Sequence, residues 1–306
     1  MLPHPPCILT IAGSDSGGGA GIQADARTIE ALGGHAVCAV TAVTAQGPAG
    51  VRAWEGVPAR LVSAQIGAVL QPLAVAAVKT GLLPTPAVIR AVASALAARP
   101  QAPLVVDPVL GSTSGTRFLF PPGIRALRRE LLPRAALVTP NWPEAEALAQ
   151  RPVRTDRQAR DAARQLADEC GCAVLVKGGH GHGTACRDWL ATPDGKLVAF
   201  SSTRIATRNT HGTGCVLSAA IAAHLARGEA VPAAVAHART FLRRALRRGR
   251  KVDWGTGAGP AYANAGMAAS TGAGADPRAN RLTNSRPGPT TPRAPGSSRT
   301  NGTDSG

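Results

Sequence analysis

The chain has 306 residues, 44% of them hydrophobic, enough for a sizeable core in one large α/β domain or two small ones. Its formal net charge is +16, yet only four of the 34 basic residues are lysines and aromatic residues make up 3%. A nucleic-acid binder clusters its basic groups with aromatics for stacking, so this charge reads as a compositional skew and no nucleic-acid partner is expected.

Residues 1–6 lack the basic start and long apolar core of a secretory signal. Residues 7–12 are a short run of β formers, the loop Gly13-Ser14-Asp15-Ser16-Gly17-Gly18-Gly19-Ala20-Gly21 follows, and residues 22–32 have helical character. The unit repeats in kind as strand 37–43, helix 58–70, strand 75–79, helix 86–98 and strand 104–107. Beyond these come helix 122–132, strand 136–139, helices 143–149 and 156–169, and strand 173–177. Alternation at this spacing predicts a mainly parallel sheet covered by helices on both faces.

The uncharged run 61–78 is a formal membrane candidate, but Gln65, Gln71 and Pro72 interrupt it, and it divides better into a helix feeding a strand. No membrane partner is expected. Residues 184–201, with Pro193-Asp194-Gly195 at the turn, read as a β-hairpin that breaks the rhythm. Helices 213–227 and 231–248 close the fold. The second carries Arg243, Arg244, Arg247 and Arg248 along one side, which reads as a solvated face. From residue 263 to 306 the chain turns to Gly, Pro, Ser, Thr, Asn and Arg. One domain over residues 1–262 and a disordered tail over 263–306 are expected.

Cys7, Cys38, Cys170, Cys172, Cys186 and Cys215 form no Cys-x-x-Cys pair, so neither a disulfide framework nor a zinc site is indicated, and reduced cytosolic thiols fit. His180-Gly181-His182 with Cys186 lacks a second ligand pair and does not read as a metal site. Neither G-x-x-x-x-G-K-[ST] nor G-x-G-x-x-G occurs.

Asn209-Thr210-His211-Gly212-Thr213-Gly214-Cys215 precedes an apolar helix and reads two ways. Its glycines and the helix start can trap an anion, or Asn209, Thr210 and Thr213 can simply cap the helix. Lys177, at a strand end before Gly178-Gly179, can hold a transferring phosphate or be a surface lysine. Asp107 ends a strand and Glu144 sits in a first helical turn; both are candidates for a phosphate-bound Mg²⁺, although helix starts favour Glu for dipole reasons alone. Asp25 and Gln46 pair a carboxylate with an amide suited to reading a heterocycle edge. Cys215 stands where a helix start lowers a thiol's pKa, so a base or proton relay is conceivable, and a packed cysteine is the plain alternative.

Together these stretches resemble the hydroxymethylpyrimidine and phosphomethylpyrimidine kinases of thiamine biosynthesis, a branch of the ribokinase-like fold. The resemblance rests on seven blocks in order, including Gly17-Gly18-Gly19-Ala20-Gly21-Ile22-Gln23-Ala24-Asp25, Thr44-Ala45-Gln46, Lys79-Thr80-Gly81, Asp107-Pro108-Val109, Asn141-Trp142-Pro143-Glu144, Lys177-Gly178-Gly179 and the loop ending at Cys215. It implies a three-layer α/β/α sandwich and a homodimer, with ATP and Mg²⁺ as cofactors. The pyrimidine's hydroxymethyl group would be phosphorylated, and then the monophosphate. Asp25, Thr44, Gln46 and Val109 would hold the pyrimidine, Lys177 would bind phosphate, Asp107 and Glu144 would serve Mg²⁺, and Gly212, Thr213, Gly214 and Cys215 would cradle the moving group. Three positions depart from the usual pattern. Leu82 replaces a methionine, Gly47 an asparagine, and Thr113 a lysine that would help hold a second phosphate. A pyridoxal kinase of the same fold and a non-catalytic vitamin-precursor binder are the alternatives.

Overall fold

The computed structural model describes residues 4–265 apart from residues 98–100, 113 and 182, so Thr113, His182 and most of the expected tail lie outside the described residues. A single nine-stranded sheet runs through it: β1 (Cys7–Asp15), β2 (His35–Gly47), β3 (Gly50–Gly56), β4 (Val75–Thr80), β5 (Leu104–Val106), β6 (Leu137–Val138), β7 (Ala173–Val176), β8 (Ala185–Ala191) and β9 (Leu197–Thr203). The spatial order is β3-β2-β1-β4-β5-β6-β7-β8-β9. The six strands from β2 to β7 in that order are parallel, and β3 at one edge and β8–β9 at the other are antiparallel.

Helices cover both faces, giving the expected three-layer, mainly parallel ribokinase-like sandwich. On one face α2 (Ala59–Leu70), α3 (Pro86–Leu96), α4 (Pro121–Ala126), α5 (Trp142–Ala149) and α6 (Asp156–Cys170) share a core built from Val, Leu, Ile and Ala. On the other, α1 (Gly21–Ala31), α7 (Thr213–Leu225) and α8 (Val231–Gly249) do the same. Helix α7 is buried on nearly every side, which explains why its sequence is apolar throughout instead of amphipathic.

Local chemistry sets several of these elements. Thr85 and Thr155 cap α3 and α6 through their side chains, Pro86 stands in the first turn of α3, and Gly171 ends α6 in a left-handed turn. Asn141 and Glu144 form a reciprocal capping box that starts α5. The run 61–78 does split into helix α2 and strand β4, and no described helix is long and apolar enough to cross a membrane.

Two expectations need correction. The expected strand 37–43 runs on through Thr44 to Gly47, because β2 pairs there with β3, an edge strand whose Arg52 and Glu55 hide its apolar alternation. The expected helix 122–132 ends as α at Ala126 and widens to a π turn over Leu127–Leu131, then tightens around Pro133, which has no N–H to continue the ladder. Ala263 packs into the α1–α7–α8 core.

The chain passes from β1 through α1 to β2 on one side, then returns to β4 on the other. The crevice at the carboxyl ends of β1 and β4 is therefore the topological switch point, where open α/β sheets take ligands.

Candidate functional site

A cavity of about 770 Å³ opens at that switch point. It is walled by the carboxyl ends of β1, β2, β4, β5 and β7 and by the start of α7. Two glycine loops meet at its floor. Gly212 has φ 74°, and a Cβ there would stand 1.9 Å from the carbonyl oxygen of Gly19, so the loop before α7 can lie on the loop after β1 only if both stay bare.

Gly212 caps α7 with no side-chain hydrogen bond, which excludes the reading in which Asn209, Thr210 or Thr213 caps the helix. Asn209 instead donates to the carbonyls of Gly249 and Val252, tying the loop to the end of α8. Among the described residues the N–H groups of Gly214 and Cys215 meet no backbone acceptor, and they face the cavity with the positive end of the α7 dipole. Such a terminus is suited to holding an anion.

Beneath it lies a compact set of charges. Lys177 Nζ stands 2.8 Å from Asp107 Oδ1 and 3.9 Å from Glu144 Oε2. Thr139 and Ser218 also donate to the Asp107 carboxylate, at 3.2 and 3.3 Å. A Cβ on Gly214 would come within 3.3 Å of Lys177 Nζ and 3.5 Å of Asp107 Oδ2, so the bare backbone of α7 sits directly against this pair. Burial opposes the charge on Lys177, but Asp107 and Glu144 outweigh it and hold the ammonium above its ordinary pKa. Burial, reinforced by the negative charge of Asp107, pushes Glu144 up to about 7, although Lys177 and the N–H groups of Asn141 and Leu110 favour its ionised form.

Thr44, Gln46 and Val109 line the opposite part of the cavity with Leu82 and Phe118. Phe118 is braced edge-on by Trp54 of β3, with ring centres 5.5 Å apart. Gln46 Nε2 lies 3.1 Å from His211 Nε2, and the same ring nitrogen lies 2.9 Å from Asp15 Oδ2. The Asp15 carboxylate is itself held by the N–H groups of Gly17, Gly19 and Ala20. An apolar slot with one amide at its rim is therefore fixed by both glycine loops.

Asp25 is not in this slot. It lies on the buried face of α1, where its Oδ2 accepts from Lys79 Nζ at 2.7 Å and from Thr10 Oγ1 at 2.6 Å, and it does not line the cavity. Only Oδ2 is committed to the fully buried Lys79 ammonium; Oδ1 is buried without a hydrogen-bond partner. Burial works against the charge on Lys79 too, yet Asp25 keeps it protonated by raising its pKa.

Of the two readings of Cys215, its surroundings favour the packed cysteine. Desolvation by the surrounding protein outweighs Lys79 and the Gly21 N–H and pushes the thiol up to about 11. Cys215 is a neutral thiol at physiological pH.

The far end of the cavity lies between the β8–β9 hairpin and α8, and includes Arg204, Arg239, Arg243, Leu242 and Leu246. These were missed in the sequence, where Arg243 reads as part of a solvated face. Arg239 pairs with Asp188 at 2.7 Å, and Arg243 donates to the Thr203 carbonyl at 2.8 Å, while Arg244, Arg247 and Arg248 are indeed exposed. His211 and Asp15 were missed as well; a histidine inside a glycine-rich anion loop was the available signal for the first.

The family model for phosphomethylpyrimidine kinase matches residues 15–262. The hydroxymethylpyrimidine/phosphomethylpyrimidine kinase of Rhizobium meliloti is 46% identical over 259 residues, covering 83% of this chain and 95% of that protein. Among solved structures, the ADP complex of Bacillus subtilis pyridoxal kinase superposes with a TM-score of 0.79 at 31% identity, covering 85% of this chain and 98% of that one. The phosphomethylpyrimidine kinase of Clostridium difficile superposes with a TM-score of 0.68 at 35% identity, covering 79% and 99%.

The raised pKa of Glu144 has a consequence for stability. A carboxyl with an ordinary value of 4.5 in the unfolded chain and about 7 in the folded one costs nothing below the first value, and progressively destabilises the protein as pH rises to the second. Glu144→Gln keeps an acceptor for the Asn141 N–H and removes that charge. Without ligands, its urea midpoint should exceed the wild type's by an amount that grows between pH 4.5 and about pH 7 and is level above. A pH-independent difference would contradict the assignment.

Proposed function

This chain belongs to the phosphomethylpyrimidine kinase family, and from that premise we propose that it transfers phosphoryl groups from ATP in thiamine biosynthesis, first to the hydroxymethyl group of 4-amino-5-hydroxymethyl-2-methylpyrimidine and then to the resulting monophosphate. The observation that carries this reading is the unpaired N-terminus of α7 set against Lys177, within one cavity that also holds an apolar slot rimmed by Gln46.

In this reading the ring lies between Leu82, Val109 and Phe118, near Thr44, and Gln46 reads its polar edge. The hydroxymethyl oxygen forms a bond to the γ-phosphorus while the bond from that phosphorus to its bridging oxygen breaks, releasing ADP. Gly212, Thr213 and Gly214 let the backbone close around the moving group, whose developing charge meets the N–H groups of Gly214 and Cys215 and the Lys177 ammonium. A loose transition state asks little of a base, so the neutral Cys215 thiol orients the acceptor hydroxyl, whose proton passes to an oxygen of the transferred phosphoryl group.

Three buried carboxylates, Asp25, Asp107 and Glu144, face two lysines, Lys79 and Lys177. An incoming polyphosphate adds further negative charge. The hard oxygen donors of Asp107 and Glu144 suit Mg²⁺, which when bound would neutralise phosphate charge beside them. At the far end, Arg204 and Arg243 with Leu242 and Leu246 suit the nucleotide's mixed charge and apolar base. The enzyme is read as a cytosolic homodimer with an ordered domain over residues 1–262 and a tail without catalytic part.

A second reading is kept because a pyridoxal kinase superposes on this chain with a TM-score of 0.79. A coupled assay with Mg-ATP and each acceptor in turn distinguishes them. Hydroxymethylpyrimidine and its monophosphate should both turn over, with kcat/KM for the first at least about tenfold above that for pyridoxal. Turnover of pyridoxal alone would overturn the pyrimidine assignment, and silence on all three would favour a non-catalytic binder. Light scattering on the same preparation should give twice the chain mass of 31.0 kDa, and the single-chain mass would rule out the homodimer.

The Cys215→Ser variant should keep kcat within about tenfold of wild type with an unchanged pH–rate profile. Loss of several hundredfold, with the basic limb of the profile displaced, would restore a thiolate base.

A further inference from the structure

Ten residues beyond Gly214, about 15 Å along α7, the helix ends in a second constellation that the kinase reading does not use. His224 lies in the last turn of α7. The chain then reverses at Gly228, whose φ of 82° allows the turn, and the N–H of Glu229 reaches back to the carbonyl of His224. That closure sets the Glu229 carboxylate over the helix end. His224 Nδ1 lies 2.7 Å from one carboxylate oxygen, and His237 Nδ1 from α8 lies 2.7 Å from the other. The two imidazole rings are 5.2 Å apart.

We propose that His224, Glu229 and His237 form a binding site for a divalent transition-metal ion of the zinc class, clamping the end of α7 to α8. One nitrogen from each ring and a carboxylate oxygen all lie within 4.8 Å of one another. A tetrahedral ion with bonds of about 2.0–2.1 Å holds its ligands about 3.4 Å apart, so the two nitrogen–oxygen pairs at 2.7 Å part slightly and the widest pair closes. His237 is 60% exposed and free to supply that movement, and its exposure leaves a fourth position open to water. Two imidazoles with one carboxylate select zinc-class ions over Mg²⁺ and Ca²⁺, which take oxygen donors. In the bound state each ring coordinates through Nδ1 with its proton on Nε2, and the metal bonds replace the two hydrogen bonds to Glu229.

The surroundings favour a cation. Burial raises the Glu229 pKa, but hydrogen bonds from both histidines outweigh it and keep the carboxylate ionised. The negative end of the α7 dipole lies beside the three side chains. Arg227, three residues beyond His224, has its guanidinium engaged by the carbonyls of Ala223 and Leu32.

The test is calorimetric titration of the metal-free full chain with Zn²⁺, alongside Glu229→Gln and His237→Ala variants whose fold is verified by circular dichroism. Wild type should bind a single zinc ion and gain thermal stability, and each variant should bind at least about tenfold more weakly without that gain. Co²⁺ substituted into the wild type should give no thiolate charge-transfer band. Absence of stoichiometric binding, equal affinity in the variants, or a thiolate band placing the ion on cysteine would each overturn the proposal.

Discussion

Everything in the site depends on how two lysines, Lys79 fully buried and Lys177 partly so, share three buried carboxylates under the start of α7. Lys79 is paired with Asp25, and Lys177 is shared between Asp107 and Glu144. With all five ionised the cluster carries an excess negative charge in a poorly solvated place, and burial raises the pKa of both Asp25 and Glu144, the latter to about 7. Such a cluster is electrostatically incomplete as it stands. A cation between carboxylates and phosphate would complete it, and would make a site rich in acidic groups compatible with an anionic cosubstrate.

The topology brings these charges together and the glycines let them close. Lys79, Asp107 and Lys177 come from the ends of β4, β5 and β7, strands whose parallel register delivers their carboxyl ends to one edge. The helix dipole of α7 arrives from the opposite layer. Its approach is set by the contact between Gly212 and Gly19 and by the absence of a side chain at Gly214. A methyl group at Gly212 would strike the Gly19 carbonyl and hold the N-terminus away, and one at Gly214 would crowd the Lys177 ammonium. Anion binding and the packing of the two glycine loops are therefore one constraint.

Much of this was legible in the sequence. Lys177, Asp107, Glu144 and Gly212 to Gly214 are chemistry-bearing residues at strand ends or helix starts, where short motifs determine position. For Asp25, Ala24, Thr28 and Ile29 mark its face of α1 as buried, but the sequence hides its partner Lys79, 54 residues away. Cys215 illustrates competition between two effects of opposite sign, a helix terminus that lowers a thiol's pKa and burial that raises it, and only the three-dimensional surroundings show that burial wins. His211 and Asp15 are 196 residues apart, and the service of Arg239 and Arg243 at the cavity depends on where the β8–β9 hairpin lies. Edge strand β3 escaped because its charged residues suit solvent and mask the alternation.

The most direct measurement is steady-state kinetics of Lys177→Met on hydroxymethylpyrimidine with Mg-ATP, on protein shown to be folded. If the Lys177 ammonium neutralises the moving phosphoryl group, kcat falls by about 10²–10³-fold while KM for the pyrimidine changes by less than about threefold. A folded variant with kcat within about threefold of wild type would contradict the placement of phosphoryl transfer between Lys177 and the start of α7.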